Sequence, residues 1–313
     1  MPGLTIQIEG VSKAFAGRPA VRGLSLSVPE GGVFGLLGHN GAGKSTTLGM
    51  LLGQVFPDSG RLAIHGHDVF AERGSALREV GAIFESPCFY DYLTGHRNLR
   101  IFCDYTAPAA RSRIDEVVEL VGLTERIHHK VGVYSHGMRQ RLALAQALLP
   151  GPRTLVLDEP SDGLDPEGIA AMRQLIQKLN RDYNLTILFS SHLLSEVEHL
   201  CTEVAVMHRG EMVFCGDWSQ TDFGKGLTQL DVGRREQALA LLNDRGMLKE
   251  SLDHSRVVLK DDTTTAAVNR LLIEHGFDVA AIAPVKLSLE DFYMQLIDRP
   301  SQTQSAGRLD PGP

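Results

Sequence analysis

A glycine-rich stretch near residue 40 contains the residue types that bind phosphate. It follows an apolar segment, Val33–Leu37, and leads into a helical pattern over residues 45–52. A glycine-rich turn from a strand into a helix N-terminus directs backbone N–H groups at an anion. The stretch fits the pattern GxxxxGK followed by Ser or Thr, and its residues are Gly38, His39, Asn40, Gly41, Ala42, Gly43, Lys44 and Ser45. We predict that this loop, together with Thr46, binds the phosphates of a nucleotide.

The polar side chains at the end of the loop suit separate tasks around those phosphates. Lys44 would neutralise the β- and γ-phosphates, Ser45 would coordinate Mg²⁺, and Thr46 would contact the α-phosphate region. The alternative is a plain glycine-rich turn between a strand and a helix. Because a chance match to the whole pattern is expected in roughly 1% of chains of this length, we interpret the loop as a nucleotide site.

Two adjacent acids follow a second apolar strand, residues 154–157. A strand that ends in Asp158 and Glu159 presents both carboxylates at the edge of a sheet, where open α/β sheets bind their ligands. Asp158 would hold Mg²⁺ through its water shell, and Glu159 would polarise the attacking water, a general-base role that contributes roughly 10²–10⁴ in rate. Alone, the pair could instead begin a surface loop. The phosphate loop favours the catalytic interpretation.

A short loop before a long amphipathic helix carries further candidates. It reads YSHGM, with Ser135 as a good N-cap beside Gly137. Here the chain resembles the ATP-binding subunits of ATP-binding cassette (ABC) proteins, in which an LSGGQ-type loop contacts the γ-phosphate of ATP held by the opposite subunit. The resemblance implies that Ser135 and Gly137 bind nucleotide across a dimer. Tyr134, His136 and Met138 depart from the family pattern, and an ordinary helix cap is the alternative.

Two more positions take their roles from the same resemblance. The loop after the two acids resembles the segment through which paired cassettes contact each other, with Asp165 as its interface acid. A third apolar strand, residues 186–189, leads to His192. In the family, a histidine here senses the γ-phosphate and helps to orient the water. The alternative is that His192 caps the next helix, but its position at a strand end favours the catalytic role.

Phe15 and Glu85 are assigned from the resemblance. Phe15 matches the aromatic residue that stacks on adenine, although an aromatic residue there could also belong to the core. Glu85 stands where the family has a glutamine that touches Mg²⁺, and we assign it to the metal as a carboxylate ligand. Residues 89–94 are rich in aromatic side chains and fall where the family docks its permease. A buried aromatic cluster is the alternative for this segment.

The composition limits the partners and the compartment. A net charge of −7 and a pI near 5.9 disfavour nucleic acid as a partner. No run of about 18 apolar residues marks a membrane span, and the N-terminus lacks a secretory signal. We therefore expect a cytoplasmic protein. The four cysteines form no CxxC pair and are interpreted as reduced thiols, and the spacing of the histidines predicts no zinc site.

The elements that must position these residues predict an α/β fold. Short β-rich pieces at 4–8, 24–28 and 61–65 predict a small antiparallel sheet. From residue 115, helical patterns alternate with compact apolar strands, which is typical of a parallel sheet covered on both faces. Together with the resemblance, the fold class is a P-loop NTPase core of ABC type with an N-terminal antiparallel β subdomain and a helical subdomain, plus a small C-terminal α+β domain.

Three segments are predicted along the chain: an ABC ATPase domain over 1–216, an accessory α+β domain over 217–298, and a tail over 299–313. The accessory domain has predicted strands near 229–232, 257–260 and 279–283, and predicted helices near 236–243, 266–275 and 288–297. The tail is rich in Pro, Ser, Gln and Gly and offers little to bury, so we expect it to be disordered.

The resemblance implies an ATP-hydrolysing subunit that uses ATP and Mg²⁺ and pairs with a second copy of itself. It would drive a separately encoded integral-membrane permease, as an exporter, and lie peripherally on the cytoplasmic face of the inner membrane. The alternative is a soluble ABC-type ATPase with a regulatory role outside transport. The chain lacks the second cassette of translation-associated relatives, the long heptad insert of chromosome-maintenance ATPases and the NKxD guanine reader of GTPases. None of its residues identifies a cargo.

Overall fold

The fold comes from a computed structural model, which describes residues 3–85, 87–201, 203–221 and 225–298. The chain divides into two units, Met1–Asp217 and Trp218–Pro313. The domain boundaries predicted from the sequence stay predictions, and the tail 299–313 lies outside the described residues.

The first unit alternates strands with helices along most of its length. Its strands are β1 (Leu4–Phe15), β2 (Arg18–Pro29), β3 (Val33–Leu37), β4 (Ser59–Ile64), β5 (His67–Asp68), β6 (Val80–Ile83), β7 (Thr154–Asp158), β8 (Thr186–Ser191), β9 (Glu203–His208) and β10 (Glu211–Asp217). Its helices are α1 (Lys44–Leu51), α2 (Arg73–Ala76), α3 (Gly95–Thr106), α4 (Ile114–Leu120), α5 (His136–Leu148), α6 (Pro166–Tyr183) and α7 (Leu194–Leu200).

A six-stranded sheet forms the centre of this unit, in the order β10-β9-β3-β8-β7-β6. The strands from β9 to β6 are parallel, and β10 adds an antiparallel edge. Every residue of β7 and β8 is buried. Strands that are buried along their whole length require cover on both faces, which the connecting helices provide. The predicted parallel sheet is therefore confirmed.

The register of the sheet brings three chain segments to one edge. Leu37 at the end of β3 pairs with Ser191, and Asp158 at the end of β7 pairs with Ser190. Because the carboxyl ends of parallel strands lie together, the phosphate loop, the two acids and His192 begin side by side.

The predicted N-terminal antiparallel sheet is also present, in the order β2-β1-β4-β5. Its first two strands have 12 residues each and are much longer than the predicted pieces at 4–8 and 24–28. The pairing of β1 with β2 shifts register between Ile8 and Val11 and again between Val11 and Lys13. Such bulges interrupt the alternation of apolar and polar residues, which is why the sequence pattern identified only part of each strand.

The second unit has the elements β11 (Leu227–Val232), α8 (Arg235–Asp244), β12 (Leu248–Ser251), β13 (Arg256–Leu259), α9 (Thr265–Glu274), β14 (Val279–Pro284) and α10 (Leu289–Asp298). Its sheet is antiparallel, in the order β12-β13-β11-β14. Leu230, Val257 and Leu272 are fully buried in a core of its own. The sequence did not predict β12, an edge strand with three exposed residues, because LKES shows no apolar pattern.

Candidate nucleotide site

The phosphate loop turns from β3 into α1 through glycines that no other residue could replace without strain. Gly43 is the N-cap of α1 and has a φ of 106°. A Cβ on Gly43 would lie 2.6 Å from the carbonyl oxygen of Ala20, and one on Gly38 would lie 2.6 Å from that of Met207. The backbone can make this tight turn only because these side chains are absent.

The other predicted residues of the loop fall on two sides of this turn. Gly38, Ala42 and Lys44 are buried, and Gly43 and Thr46 are partly buried. The exposed residues are His39, Asn40, Gly41 and Ser45. The exposed group is the part of the loop that solvent reaches.

Lys44 lies at the first position of α1 and is only 5% exposed. Its Nζ donates a hydrogen bond to the carbonyl oxygen of Gly38 at 2.6 Å. It also forms an ion pair with Oε1 of Glu159 at 3.1 Å. A buried ammonium group needs such partners, and these two tie the phosphate loop to the acid that follows β7.

Ser190 joins the two acids that end β7. Its hydroxyl donates to Oδ1 of Asp158 at 2.5 Å and accepts the backbone N–H of Glu159 at 3.0 Å. Glu159 has a φ of 48°, an uncommon backbone conformation for a residue with a side chain. The buried Ser190 hydroxyl therefore fixes both the metal-ligand candidate and the backbone of the candidate base.

Ser190 is a site residue that the sequence pattern does not predict. The signal that could have identified it is its position in a strand that neighbours β7, one residue after the apolar run that ends at Phe189.

His192 contacts the same acid from the opposite side. Its Nδ1 lies 2.8 Å from Oε2 of Glu159, and its backbone N–H donates to that oxygen at 3.2 Å. A carboxylate only accepts, so Nδ1 carries the proton. The N-cap of α7 is Leu193, without a side-chain hydrogen bond. His192 therefore does not cap this helix, and its ring is oriented on Glu159 instead.

A buried carboxyl group lies close to this cluster. Glu196 of α7 is 4% exposed, and its Oε1 has no hydrogen-bond partner in the described part of the chain. Burial raises the pKa of Glu196, and hydrogen bonds from the hydroxyls of Ser161 and Ser191 partly oppose that rise. Ser161 stands in the loop after Glu159, and Ser191 is the last residue of β8, next to His192. Glu196 thus connects that loop with the end of β8 from inside the protein.

Ser135 is the N-cap of α5, as its residue type predicts. Its Oγ accepts the backbone N–H of Met138 at 3.3 Å. Next to it, Nε2 of His136 lies 2.9 Å from the carbonyl oxygen of Asp162, and Gly137 is partly buried. Asp165 is the N-cap of α6, accepting the N–H of Gly168 at 2.9 Å.

Phe15 ends β1 and is 49% exposed, with Nζ of Lys13 5.5 Å from its ring centroid. It is therefore not a core residue. Glu85 follows β6, is exposed and has a φ of 57°. Within the described residues, no hydrogen bond or ion pair joins Phe15, Glu85, Ser135 or Gly137 to the cluster around Glu159. Their nucleotide and metal roles stay predictions.

Glu85 lines a cavity of about 370 Å³, together with Gln54, Ala82, Ile83, Phe84, Pro87, Cys88, Phe89, Ala143 and Gln146. Tyr90 and Tyr92 follow it in the chain and are 51% and 69% exposed, with their ring centroids 5.9 Å apart. These two residues do not form a buried aromatic cluster.

The donor set suits a hard cation such as Mg²⁺. The structure provides the carboxylate of Asp158 at the end of β7 and the exposed hydroxyl of Ser45 on the phosphate loop. Mg²⁺ in nucleotide sites uses few protein oxygens and takes the rest from phosphates and water. Across the described ranges, no group of three or more His, Cys, Asp or Glu residues could bind a metal alone. Asp158 and Ser45 fit a metal that the phosphates of a nucleotide help to hold.

The parallel sheet, the loop between β3 and α1, and the acids at the end of β7 define a P-loop nucleoside triphosphatase. Comparison with known proteins narrows this class. The family model described as ABC transporter matches residues 21–162. YhcH, an ABC transporter ATP-binding protein of Bacillus subtilis, is 37% identical over 93% of this chain and 95% of its own length.

Two further relatives have names that state a transport or resistance role. The bacitracin transport ATP-binding protein BcrA of Bacillus licheniformis is 36% identical, covering 93% of this chain and 97% of its own. The linearmycin resistance ATP-binding protein LnrL of Bacillus subtilis is 33% identical, covering 94% and 98%.

Solved structures agree on the fold. The chain cbiO1 from Clostridium perfringens, part of the complex cbiONQ, matches with a TM-score of 0.62 at 24% identity, covering 68% of this chain and 88% of that chain. The cassette MJ0796, in a dimeric post-hydrolysis state bound to ADP and Pi, matches with a TM-score of 0.61 at 22% identity, covering 68% and 98%.

The chain belongs to the ATP-binding subunits of ABC transporters, and it is the subunit that hydrolyses ATP. The predicted family, fold class and enzymatic class are confirmed. Subunits of this family bind nucleotide, dimerise and pair with membrane permeases. Within the described residues, no helix has the length and apolar character needed to cross a membrane.

Proposed function

We propose that two copies of this chain close over two ATP molecules, and that hydrolysis reopens them to drive a separately encoded permease that exports its cargo. The observation that supports this most directly is the position of Glu159 between two basic side chains. Lys44 lies 3.1 Å from one carboxylate oxygen and His192 lies 2.8 Å from the other. This arrangement orients a carboxylate at the sheet edge where the phosphate loop begins.

Each residue at this edge has a task that its chemistry suits. Lys44 binds the β- and γ-phosphates, and the backbone of residues 38–43 surrounds them. Glu159 accepts the proton of the attacking water. His192 holds Glu159 in position and senses the γ-phosphate. Ser190 keeps the backbone of Glu159 fixed through the hydrogen bond at 3.0 Å.

The metal ligands in this proposal are Ser45, Asp158 and Glu85. Oδ1 of Asp158 accepts the hydroxyl of Ser190 at 2.5 Å, which orients the carboxylate that would hold a hydrated cation. Bound Mg²⁺ would supply positive charge that offsets the charge developing on the phosphates. Glu85 places a carboxylate where the family pattern has a neutral amide. This negative charge adds to those of Asp158 and Glu159, so the position of the Glu85 side chain should depend more strongly on whether the cation is bound.

The remaining predicted residues belong to the rim and to the dimer. Ser135 and Gly137 would contact the γ-phosphate held by the partner copy, since an N-terminal helix end attracts anions. Asp165 would contact the partner copy. Phe15, half exposed at the end of β1, would stack on adenine.

The direction of transport is proposed from the relatives. BcrA is named for bacitracin transport and LnrL for linearmycin resistance. Resistance through a transporter requires that the compound leave the cell, so export is the direction that these names support. The cargo of this chain is not specified by any residue that the site contains.

The permease is proposed to dock beside Glu85. Phe89 lines the cavity of about 370 Å³, and Tyr90 and Tyr92, whose rings are exposed, follow it in the chain. Exposed aromatic side chains are enriched in protein interfaces. The chain would then lie on the cytoplasmic face of the inner membrane, bound to the permease.

Capture of the permease tests this proposal. Tagged full-length protein, purified from detergent-solubilised membranes, should bring down a polytopic membrane protein. Tyr92→Ala should weaken the capture, whereas Tyr105→Ala, on α3 and 88% exposed, serves as the matched control. Recovery of ribosomes or DNA in place of a membrane protein would contradict the transport proposal.

A further inference from the structure

His136 forms a hydrogen bond that leaves its own helix. Its Nε2 lies 2.9 Å from the carbonyl oxygen of Asp162, 26 residues further along the chain. Because a carbonyl oxygen only accepts, Nε2 carries the proton and donates it. The ring also lies against Gly163, where an added Cβ would be 3.4 Å from Nε2. The imidazole therefore cross-links the N-terminus of α5, which holds Ser135 and Gly137, to the loop after Glu159.

The loop that receives this bond is an ordered turn. The N–H of Asp162 donates to the carbonyl oxygen of Glu159 at 3.1 Å, and the N–H of Leu164 donates to that of Ser161 at 3.2 Å. The turn begins at Glu159 and ends where Asp165 caps α6. His136 contacts the turn in its middle, so any displacement of one loop acts on the other.

The N-terminus of α5 also comes close to the turn after Glu159 at Gly137. A Cβ on Gly137 would lie 3.6 Å from Cδ2 of Leu164. Gly137 has no side chain of its own, so this approach involves no directional bond. The glycine that the family pattern has in place of His136 would offer no side-chain donor at all. The cross-link is therefore a property of this chain's own residue.

We propose that His136 is a positioning residue that makes the loop of Ser135 and Gly137 move with the loop that follows Glu159. The inference rests on the proposed dimer, in which Ser135 and Gly137 serve the partner's nucleotide while Glu159 serves the chain's own. A change at one nucleotide then reaches the other through a hydrogen bond between side chain and backbone. The expected consequence is cooperative hydrolysis of the two ATP molecules.

Two substitutions separate the hydrogen bond from the bulk of the ring. His136→Gln keeps an N–H donor at a similar reach, whereas His136→Leu keeps an apolar side chain of comparable length without a donor. Both are made in the full-length chain. If the cross-link operates, glutamine preserves the behaviour of the parent protein and leucine loses it.

Amide hydrogen exchange in the nucleotide-free protein tests the cross-link itself. The amides of Asp162 and Leu164 should exchange roughly threefold to tenfold faster in His136→Leu, the factor by which one net hydrogen bond shifts an equilibrium. They should be unchanged in His136→Gln. Equal exchange in the leucine variant and the parent protein would overturn the cross-link.

The dependence of ATP hydrolysis on ATP concentration tests the coupling. The parent protein and His136→Gln should give a Hill coefficient above 1, and His136→Leu should fall towards 1. A parent coefficient of 1, or a leucine variant with the parent's coefficient, would overturn the coupling. Whether Glu159→Gln forms an ATP-bound dimer is measured in parallel. A missing dimer would refute the proposed function, while the exchange experiment still judges the cross-link.

Discussion

Glu159 is constrained at three points, which is what a general base needs. Lys44 and His192 contact its two carboxylate oxygens at 3.1 and 2.8 Å, and its N–H donates to Ser190 at 3.0 Å. A base oriented in advance costs less reorganisation when the water attacks. Ser190 has no proposed role in the reaction itself. Its hydroxyl can therefore be removed by substitution while the carboxylate of Glu159 stays in place.

Ser190→Ala should slow hydrolysis while leaving ATP binding nearly intact. The substitution removes the hydroxyl that accepts the N–H of Glu159 and donates to Asp158, and each lost partner of a buried group costs about 1–3 kcal/mol. We expect kcat to fall roughly tenfold to hundredfold, with little change in the KM for ATP. Steady-state ATPase kinetics measures both constants.

The control for this prediction is Ser195→Ala, at an exposed position of α7. It removes an equal hydroxyl from the same region and should leave kcat unchanged. If Ser190→Ala retains the parent kcat, or changes KM alone, the hydroxyl does not position Glu159.

At the scale of residues, the sequence predicted the side chains proposed to take part in the reaction, but not the residue that positions them. The spacing around Lys44, the paired acids and the strand before His192 were enough to select the residues that the structure brings together. Their roles stay predictions. Ser190 was not selected, because its importance comes from the strand pairing of β7 with β8. That register is a property of the folded sheet rather than of a local pattern.

Among the elements, α7 carries a buried carboxyl group that makes stability depend on pH. Burial raises the pKa of Glu196 above the 4.5 of an unperturbed glutamate, against hydrogen bonds from Ser161 and Ser191. Arg173 favours the charged form and Glu159 opposes it. In this situation the folded protein holds a proton that the unfolded chain releases at lower pH.

Stability should therefore fall as pH rises from about 4.5 through the raised pKa of Glu196. Glu196→Gln keeps the shape of the side chain and cannot ionise, so this loss should disappear. The difference in the free energy of unfolding, variant minus parent, should increase over this pH window and stay constant at higher pH. Urea titrations at a series of pH values measure the difference.

Glu119→Gln, at an exposed position of α4, is the matched control and should show no such gain. A Glu196→Gln variant whose stability follows that of the parent at every pH would contradict the raised pKa. A variant that loses stability relative to the parent as pH rises through this window would indicate that the charged form is the one stabilised.

The sequence predicted the elements where apolar periodicity was strong. The predicted helices at 114–121 and 138–149 are found as α4 and α5, although α5 begins two residues earlier, where Ser135 caps it. Helix α3 was not predicted, since few of its residues are buried and one of those, Asn98, is polar. Asn98 instead hydrogen-bonds the backbone of Tyr90 and Thr94. Helix α3 is nevertheless amphipathic, so its sequence does carry a helical signal that the prediction missed.

At the scale of the whole molecule, the second unit has the means to fold by itself. It has its own buried core, and Arg256 of β13 binds Asp253 at 2.6 Å and Asp291 of α10 at 2.8 Å. Backbone N–H groups and this guanidinium hold the pKa of Asp253 well below its usual range. The predicted domain division therefore has a direct test.

A chain ending at Asp217 should fold, bind ATP and hydrolyse it, because Lys44, Asp158, Glu159 and His192 all lie in the first unit. Residues 218–298 should unfold in a cooperative transition of their own. Calorimetry and ATPase assays on both pieces measure this. A shortened chain that is folded but inactive would show that the second unit contributes to catalysis.

The central claim is that Glu159 is the base of an ATPase that works as a dimer. The most direct measurement compares the parent protein, Glu159→Gln and Glu119→Gln for ATP hydrolysis and for ATP-dependent mass in analytical ultracentrifugation. Glu159→Gln should lose roughly 10²–10⁴ in hydrolysis rate and accumulate as an ATP-bound dimer, while Glu119→Gln behaves like the parent. Hydrolysis at the parent rate by Glu159→Gln, or a monomer at saturating ATP, would contradict the claim.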